Sequence, residues 1–241
     1  MQYLKMCAHG SRNVTVLHHH RLACPPQPNH SHKKSLIMDY YPERGPMIII
    51  DTVPLVDMLL AIDMCPVEIS GFGEVEIQGD HKKITEIFVP FQQCGYIGTE
   101  FDPHAYNEYC RSLLREKRGA AINTKRLWWH SHVHMIAAFS EIDYTYILRT
   151  FARNVMPHAN PWLISIVGNK LRSFTMRYDE FLPVERAAEQ QFTLDTFTWQ
   201  QKLAHLYSER KPRMEALVRE RVTIIRKFSL PEEPHVDSSD P

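Results

Sequence analysis

Apolar residues in this chain recur with helical spacing in some stretches and with strand-like spacing in others. Helical spacing begins at Pro54 and ends before Pro66, and it returns over residues 103–118. A short apolar run covers residues 47–52, and strands are predicted near residues 68–77, 83–91, 162–168 and 171–178, with turns at 78–81 and at Gly168-Asn169. With a further helix predicted from residue 143, this mixture of elements predicts an α+β domain.

The two ends of the chain differ in composition from its centre. Residues 1–37 hold six of the fourteen histidines and several prolines, a composition typical of disorder that can also bind metal adventitiously. Residues 38–180 carry the elements described above and are predicted to form the folded domain. Residues 181–241 are predicted to be a helical extension that ends in a mobile, acidic tail.

Within that extension, residues 198–227 place apolar side chains at helical spacing among many charges. Pro212 is predicted to kink or split this helix, because proline removes a backbone hydrogen bond. Two interpretations of the apolar stripe stay open: it packs on its own domain, or it binds a partner or a second copy of the chain.

Charge and composition narrow the classes of function. The chain has 28 basic and 28 acidic residues, and a net charge of zero argues against binding to nucleic acid. No apolar run reaches the length of a membrane-spanning helix, so a soluble, cytoplasmic protein without membrane contact is expected. The five cysteines are scattered without a Cys-x-x-Cys pair, which predicts free thiols rather than a disulfide framework or a thiolate zinc site.

Candidate chemistry concentrates in one short stretch. His130 and His132 follow the bulky apolar segment Arg126–Trp129, which is predicted to be a strand. Two residues apart on a strand, both imidazoles project from the same face. Ser140 and Asp143 come with the following loop. Two imidazoles and one carboxylate make the three ligands that a catalytic zinc ion uses while one position stays open, so the pattern predicts a metal site.

These residues also have purely structural interpretations. A single His-x-His pair is common by chance, and Ser140-Glu-Ile-Asp143 fits a capping box at a helix start. Capping and metal binding are compatible, because a helix N-terminus orients the acid rigidly. His134 is in phase with the two histidines and is a candidate substitute ligand or supporting residue. Ser131 is expected to point to the opposite face.

The full pattern resembles the JAMM motif of the MPN (JAB1/MPN/Mov34) metallopeptidases. His-Ser-His, seven residues, Ser140, two residues and Asp143 match its spacing, and Glu68 with Gly71 matches its upstream Glu-x-x-Gly. The resemblance covers roughly residues 53–180 and is nearer to prokaryotic and phage JAB-like proteins than to proteasome-lid or signalosome subunits. It implies the MPN fold, a curved mixed β-sheet flanked by helices, with layering like that of cytidine deaminases.

The resemblance also implies a role for each residue. His130, His132 and Asp143 would hold Zn²⁺, which lowers the pKa of its bound water to about 7. Glu68 would be the general base that takes the proton of this water and delivers it to the leaving amine. Ser140 would donate a hydrogen bond to the developing oxyanion.

Some features of the chain qualify these roles. Glu68 also has a structural interpretation, as an ordinary solvated residue of a strand. Glu74 and Glu76 follow it on the same predicted strand and face, and Glu68 is preferred as the base because Gly71 stands three residues after it. Many family members have proline after the second histidine and glycine three positions before the first, where this chain has Val133 and Leu127. Neither position supplies a ligand, so these departures put substrate preference in doubt rather than metal binding.

The expected function is that of a zinc metallopeptidase which hydrolyses a peptide or isopeptide bond in a protein or peptide substrate. By resemblance, the substrate class includes ubiquitin-like or sulfur-carrier tails, or a tail-assembly precursor in a phage context. The alternative is a non-catalytic MPN scaffold, or a phage tail-assembly protein, that acts mainly through protein–protein contacts. A zinc deaminase is disfavoured because the sequence has no Pro-Cys-x-x-Cys.

Overall fold

The computed structural model of the protein describes residues 46–79, 81–96, 98–118, 125–147, 161–181, 186–194 and 199–225. The predicted N-terminal segment 1–37, the acidic tail and the helical stretch predicted after residue 147 lie outside the described residues. Among the described helices, none is both long and apolar enough to cross a lipid bilayer. Cys65, Cys94 and Cys110, the cysteines that the structure describes, are free thiols.

The strands form two sheets. In chain order they are β1 (Met47–Ile50), β2 (Ser70–Gln78), β3 (His81–Phe88), β4 (Gln92–Gly95), β5 (Gly98–Phe101), β6 (Lys125–Ser131), β7 (Trp162–Gly168), β8 (Ser173–Glu180), β9 (Arg186–Thr193) and β10 (Val222–Ile224). The main sheet has the order β1-β3-β2-β6-β7-β8-β9, and the smaller sheet has the order β10-β4-β5. In the main sheet, β1 pairs with β3 and β6 with β7 in parallel, and the other pairs are antiparallel.

The described helices are α1 (Thr52–Met64), α2 (Pro103–Arg115), α3 (Glu141–Tyr146) and α4 (Ala204–Arg221). Helix α2 begins after Asp102, whose side chain accepts hydrogen bonds from the next backbone N–H groups. A π-helical turn, Trp199–Leu203, leads directly into α4. The arrangement is an α+β fold in which helices pack on a mixed sheet.

Helix α1 is buried between the main sheet and α4. Its residues 54–62 are all buried, and they share one hydrophobic core with strand residues and with Leu203 and Met214. Arg210 donates to Asp57 across the two helices, with 2.6 Å between Nη2 and Oδ2. Because an unpaired buried carboxylate is costly, this ion pair fixes α4 on α1.

Strand β6 divides the interior into two clusters. Successive side chains point to opposite faces, so Leu127 and Trp129 pack in the cluster that includes α1, whereas Trp128 packs on the other side. The second cluster consists of Trp128, Phe139, Ile147, Leu163, Val167 and Phe181. His130 follows Trp128 on this second face, which places the candidate chemistry opposite α1.

Most elements predicted in the central part of the chain are present, but one turn is not where it was predicted. The connection between β7 and β8 spans residues 169–172, so the prediction of a tight turn at Gly168-Asn169 was wrong. The Asn169 side chain accepts the N–H groups of Leu171 and Ser173, both at 3.0 Å, and Arg172 has a positive φ of 60°. The asparagine therefore caps a longer loop rather than forming a two-residue turn.

The C-terminal part combines helix and strand. The predicted helix is present as α4, but it continues through Pro212 without being split. Leu206, Leu217, Val218 and Val222 pack against the core that contains α1, so the apolar stripe contacts its own domain. Residues 181–241 also contain β9, which extends the main sheet, and β10, which pairs with β4.

Candidate metal centre

The three predicted ligands meet where β6 ends and α3 begins. The Nε2 atoms of His130 and His132 lie 3.1 Å apart. Asp143 places Oδ1 3.2 Å from the Nε2 of His130 and Oδ2 3.6 Å from the Nε2 of His132. One ligand atom from each residue lies within 4.8 Å of the others, which is close enough for a single ion to be shared. The strand face and the following helix start therefore bring together the group that the sequence predicts.

The orientation of His132 suits a ligand. Its Nδ1 lies 3.0 Å from the carbonyl oxygen of Ile136. A carbonyl only accepts hydrogen bonds, so Nδ1 carries the proton and the lone pair of a neutral ring is left on Nε2, which faces the other ligands. Burial alone would lower the pKa of His132, but hydrogen bonds to Asp143 and Ile136 and the charges of Glu68 and Asp143 raise it overall.

The Ile136 carbonyl reaches His132 because the chain turns sharply between them. Val133 has a φ of 46°, a left-handed conformation that is rare for a β-branched residue. The N–H of Met135 donates to the His132 carbonyl at 2.7 Å and closes the turn. Proline, with φ near −65°, could not adopt this backbone. The departure at Val133 from the common family sequence thus accompanies a loop that proline could not form.

Asp143 is held by the first turn of α3. The Ser140 N–H and hydroxyl both donate to Oδ2 of Asp143, at 2.7 and 2.8 Å, and the Asp143 N–H donates to the Ser140 Oγ at 3.2 Å. This is the predicted capping box. Burial would raise the pKa of Asp143, but the hydrogen bonds of His130, His132 and Ser140 hold it well below its ordinary value. The carboxylate is therefore ionised and fixed in place.

Glu68 lies in the connection between α1 and β2, and its side chain is buried with 7% exposed. Burial raises its pKa from 4.5 to about 7; the neighbouring His132 lowers it and the charge of Asp143 raises it further. Ile69, the residue after Glu68, pairs with Ser131 between the two histidines, so Glu68 lies near the ligand group. A carboxyl group that is half ionised near pH 7 is suited to accept and return a proton.

Glu74 and Glu76, the two acidic residues of β2, are placed differently from Glu68. Glu74 pairs with Lys125, with 3.6 Å between Oε1 and Nζ. Glu76 is exposed and accepts a hydrogen bond from Gln78. Glu76 is also followed by a glycine three residues later, Gly79, so the Glu-x-x-Gly pattern alone does not distinguish it from Glu68; burial and the neighbouring ligands do.

Packing explains the glycine of the Glu68 element. A Cβ at Gly71 would clash with the Phe88 carbonyl oxygen and would lie 2.7 Å from the Trp129 ring. Any side chain at Gly71 would therefore displace β2 from β3 and from the Trp129 ring of β6. The glycine thus sets the close approach of β2, which directly follows the Glu68 connection, to the strand that carries His130.

Two further residues of the stretch have clear positions. His134 is exposed on the loop after His132 and is not among the clustered ligands that the described residues provide. Ser131 points away from the ligands, as expected, and it makes two hydrogen bonds to the backbone of Ile69. Its Oγ accepts the Ile69 N–H at 3.1 Å, and its own N–H donates to the Ile69 carbonyl at 2.8 Å. Ser131 thereby ties the Glu68 connection to the ligand strand, a role that the motif does not predict.

The donor set fits a divalent metal ion. Two imidazoles and one carboxylate are ligands that zinc and other first-row metals accept, and three protein ligands leave a coordination position open. Burial lowers the pKa of His130, so its ring is neutral and can ligate. Its Nδ1 is buried and finds no hydrogen-bond partner in the described part of the chain, whereas Nε2 faces the group. The described residues can therefore hold a metal ion at this position.

Comparisons with known proteins add no family assignment. Neither a scan against protein-family models nor a search of curated proteins finds a match to this chain. The functional argument therefore rests on the residues and their geometry.

Proposed function

We propose that this protein is a zinc-dependent metallopeptidase of the JAMM type, with an MPN fold, that hydrolyses a peptide or isopeptide bond in a protein substrate. One observation carries the proposal: a buried glutamate with a pKa of about 7 lies beside a group of two histidines and one aspartate. The match of Glu68, Ser140 and the ligands to the JAMM spacing supports it. The mixed sheet with helices packed against it is compatible with an MPN fold.

Each side chain has a distinct part in the proposed reaction. His130, His132 and Asp143 would hold a divalent ion, which would supply Lewis acidity toward water near neutral pH. Glu68 takes the proton from the attacking water and returns it to the nitrogen of the leaving amine. Its burial keeps the pKa close to the working pH, so both transfers are nearly balanced.

Ser140 is proposed as the hydrogen-bond donor to the oxyanion, and its present contacts constrain that role. The hydroxyl has one proton, which is donated to Oδ2 of Asp143. To donate to a substrate oxygen, the hydroxyl must leave this acceptor. Oδ2 then keeps the hydrogen bond from the Ser140 N–H at 2.7 Å, so Asp143 stays oriented while the hydroxyl turns.

The scaffold alternative explains less of the site. A scaffold needs neither a complete ligand set nor a desolvated carboxyl group, and burial of Glu68 lowers stability near neutral pH. The proposed substrates are proteins with an exposed tail, including ubiquitin-like proteins, since an amide or isopeptide bond is what this chemistry cleaves.

The test compares wild type with Glu68→Gln. Both proteins are loaded with Zn²⁺, assayed for metal content, and incubated with a peptide library and with isopeptide-linked ubiquitin-like conjugates. We expect wild type to generate new termini that mass spectrometry detects, and we expect Glu68→Gln to bind zinc but to produce none. Treatment of wild type with a chelator should also abolish cleavage.

Glu76→Gln is the matched control, because it makes the same chemical change on an exposed glutamate of β2, the strand that follows Glu68. It should keep full activity. Cleavage that survives in Glu68→Gln would remove Glu68 as the base. A zinc-loaded wild type that cleaves neither panel would favour the scaffold.

A further inference from the structure

We propose that Trp128 is a positioning residue that orients His130 toward the metal ion by ring stacking. The inference rests on the proposed metal site, but it concerns a residue that supplies no ligand. It follows from a difference between the two histidines: one is oriented by a hydrogen bond, and the other is not.

His132 is fixed through its Nδ1, which the Ile136 carbonyl binds at 3.0 Å. His130 lacks the equivalent contact: its Nδ1 is buried and has no hydrogen-bond partner among the residues that the structure describes. The χ2 angle of histidine is broad, so an imidazole without a directional contact can rotate and swing Nε2 away from a shared ion. Some other contact must set the plane of the His130 ring.

Stacking on Trp128 provides that contact. The two side chains are two residues apart on the same face of β6, and their ring centroids lie 4.6 Å apart with an angle of 20° between the planes. This is the spacing of offset-stacked aromatic rings. Both residues are 5% exposed, so water does not separate the rings. The Phe139 ring is tilted relative to the His130 ring, with 6.0 Å between the ring centroids, and borders it from another direction.

The indole is itself held in place. Its Nε1–H donates to the Oγ of Ser70 at 3.0 Å, and Ser70 lies directly opposite His130 in the β2–β6 register. The Ser70 hydroxyl donates in turn to the Trp129 carbonyl at 3.0 Å. The side chain of Gln92 brackets the same serine: it accepts the Ser70 N–H at 3.0 Å and donates to the Ser70 carbonyl at 2.8 Å. A chain of buried contacts therefore runs from β4 through β2 to the indole and the imidazole.

The indole also borders the second element that carries a ligand. Tyr146 belongs to α3, the helix that holds Asp143. Its ring centroid lies 6.0 Å from that of Trp128. Trp128 thus lies between the strand of the histidines and the helix of the aspartate. Loss of its flat surface should misalign His130 without removing any ligand atom.

The experiment measures metal affinity, which does not depend on hydrolysis. Metal-free wild type, Trp128→Phe and Trp128→Leu are titrated with Zn²⁺ against a competing chelator and with Co²⁺, whose visible absorption spectrum reports ligand geometry. Loss of an outer contact to a metal ligand typically lowers affinity by about 10- to 100-fold. We expect that loss and an altered Co²⁺ spectrum in Trp128→Leu, and recovery of most of the affinity in Trp128→Phe, which keeps an aromatic face.

Leu163→Ala is the matched control, because Leu163 belongs to the same buried cluster as Trp128 and is not a ring that stacks on His130. It should lower stability and leave zinc affinity near the wild-type value. Equal losses in Leu163→Ala and Trp128→Leu would reduce Trp128 to a general packing residue and overturn the inference, as would wild-type affinity in Trp128→Leu.

If Trp128→Leu does not fold, Trp128→Phe and Ser70→Ala decide the question. Ser70→Ala removes the acceptor of the indole N–H and should weaken zinc binding severalfold; Trp128→Phe loses the same hydrogen bond but keeps an aromatic face, so its loss should be no greater. No loss in Ser70→Ala would count against the inference. Failure of wild type to bind zinc would instead refute the metal site itself, and with it the proposed function. Zinc binding by wild type with no effect of these changes would refute only the role of Trp128.

Discussion

Replacement of Glu68 by Gln should stabilise the metal-free protein at neutral and alkaline pH and have little effect in acid. The carboxyl group is buried, and burial raises its pKa from 4.5 to about 7. Because the folded-state pKa lies above the unfolded value, the folded protein holds this proton more tightly than the unfolded chain does. That stabilisation is complete below pH 4.5 and is lost as the pH rises through 7. Glutamine is always neutral and loses nothing.

The magnitude follows from the two pKa values. At about 1.4 kcal/mol per pH unit, the difference between 4.5 and about 7 amounts to about 3.5 kcal/mol once the pH exceeds both values. Between pH 5 and pH 8, the variant should gain about 2.5 kcal/mol relative to wild type, because part of the effect has already occurred at pH 5. A change of this size is large against a typical domain stability of about 5–15 kcal/mol.

Urea denaturation of both proteins at several pH values measures this difference. A chelator must be present, because a metal ion that binds only the folded state adds its own stabilisation. Glu76→Gln serves as the control, since it makes the same chemical change on an exposed residue. A free-energy difference between Glu68→Gln and wild type that stays constant from pH 5 to pH 8 would refute the argument that Glu68 is desolvated.

Three further changes test other parts of the site. His132→Ala should lose zinc and hydrolysis together, as measured by metal content and turnover, because two ligands remain of three; retained zinc would point to His134. Ser140→Ala should lower stability by about 1 kcal/mol through the lost helix cap and turnover by roughly a hundredfold or more through the lost oxyanion donor. Denaturation and zinc-saturated kinetics separate the two effects, and unchanged turnover would leave capping as the role of Ser140. Val133→Gly should raise stability in urea by about 1 kcal/mol, since glycine relieves the strain at a φ of 46°; a less stable variant would contradict that strain.

The strongest periodic patterns of the sequence correspond to real elements. Helix α1 extends over Thr52–Met64 where apolar spacing predicts a helix from Pro54, and β6 places His130 beyond a buried apolar run as predicted. Alternation along a strand is a local property, so it correctly puts both histidines on one face. The capping box at Ser140 is equally local, because its hydrogen bonds join residues only three apart.

Other features depend on contacts between distant residues. Strand β9 reads Arg-Ala-Ala-Glu-Gln-Gln-Phe-Thr, which has weak strand propensity, and pairing with β8 stabilises it. The roles of Ser131 and Trp128 depend on the register between β2 and its neighbour β6. A one-residue change in that register would reverse which side chains face each side of the sheet. The amino-acid sequence alone does not reveal the register. The raised pKa of Glu68 likewise comes from burial, which only the assembled fold determines.

Three features that lower the stability of the folded protein lie at the candidate metal centre. Glu68 is a buried carboxyl group whose ionised form is disfavoured, and Val133 adopts a left-handed backbone. The buried Nδ1 of His130 has no hydrogen-bond partner within the described ranges. An unsatisfied buried polar atom or a strained backbone each costs about 1–3 kcal/mol. Buried polar groups such as Asp57 and Ser70 have close partners, whereas others outside the site, such as the Ser165 Oγ, have none among the described residues. What distinguishes this centre is that three different unfavourable features lie together, and such a combination is typical of a functional site. This concentration is explained if the site is shaped for a bound ion and for proton transfer rather than for the stability of the empty protein.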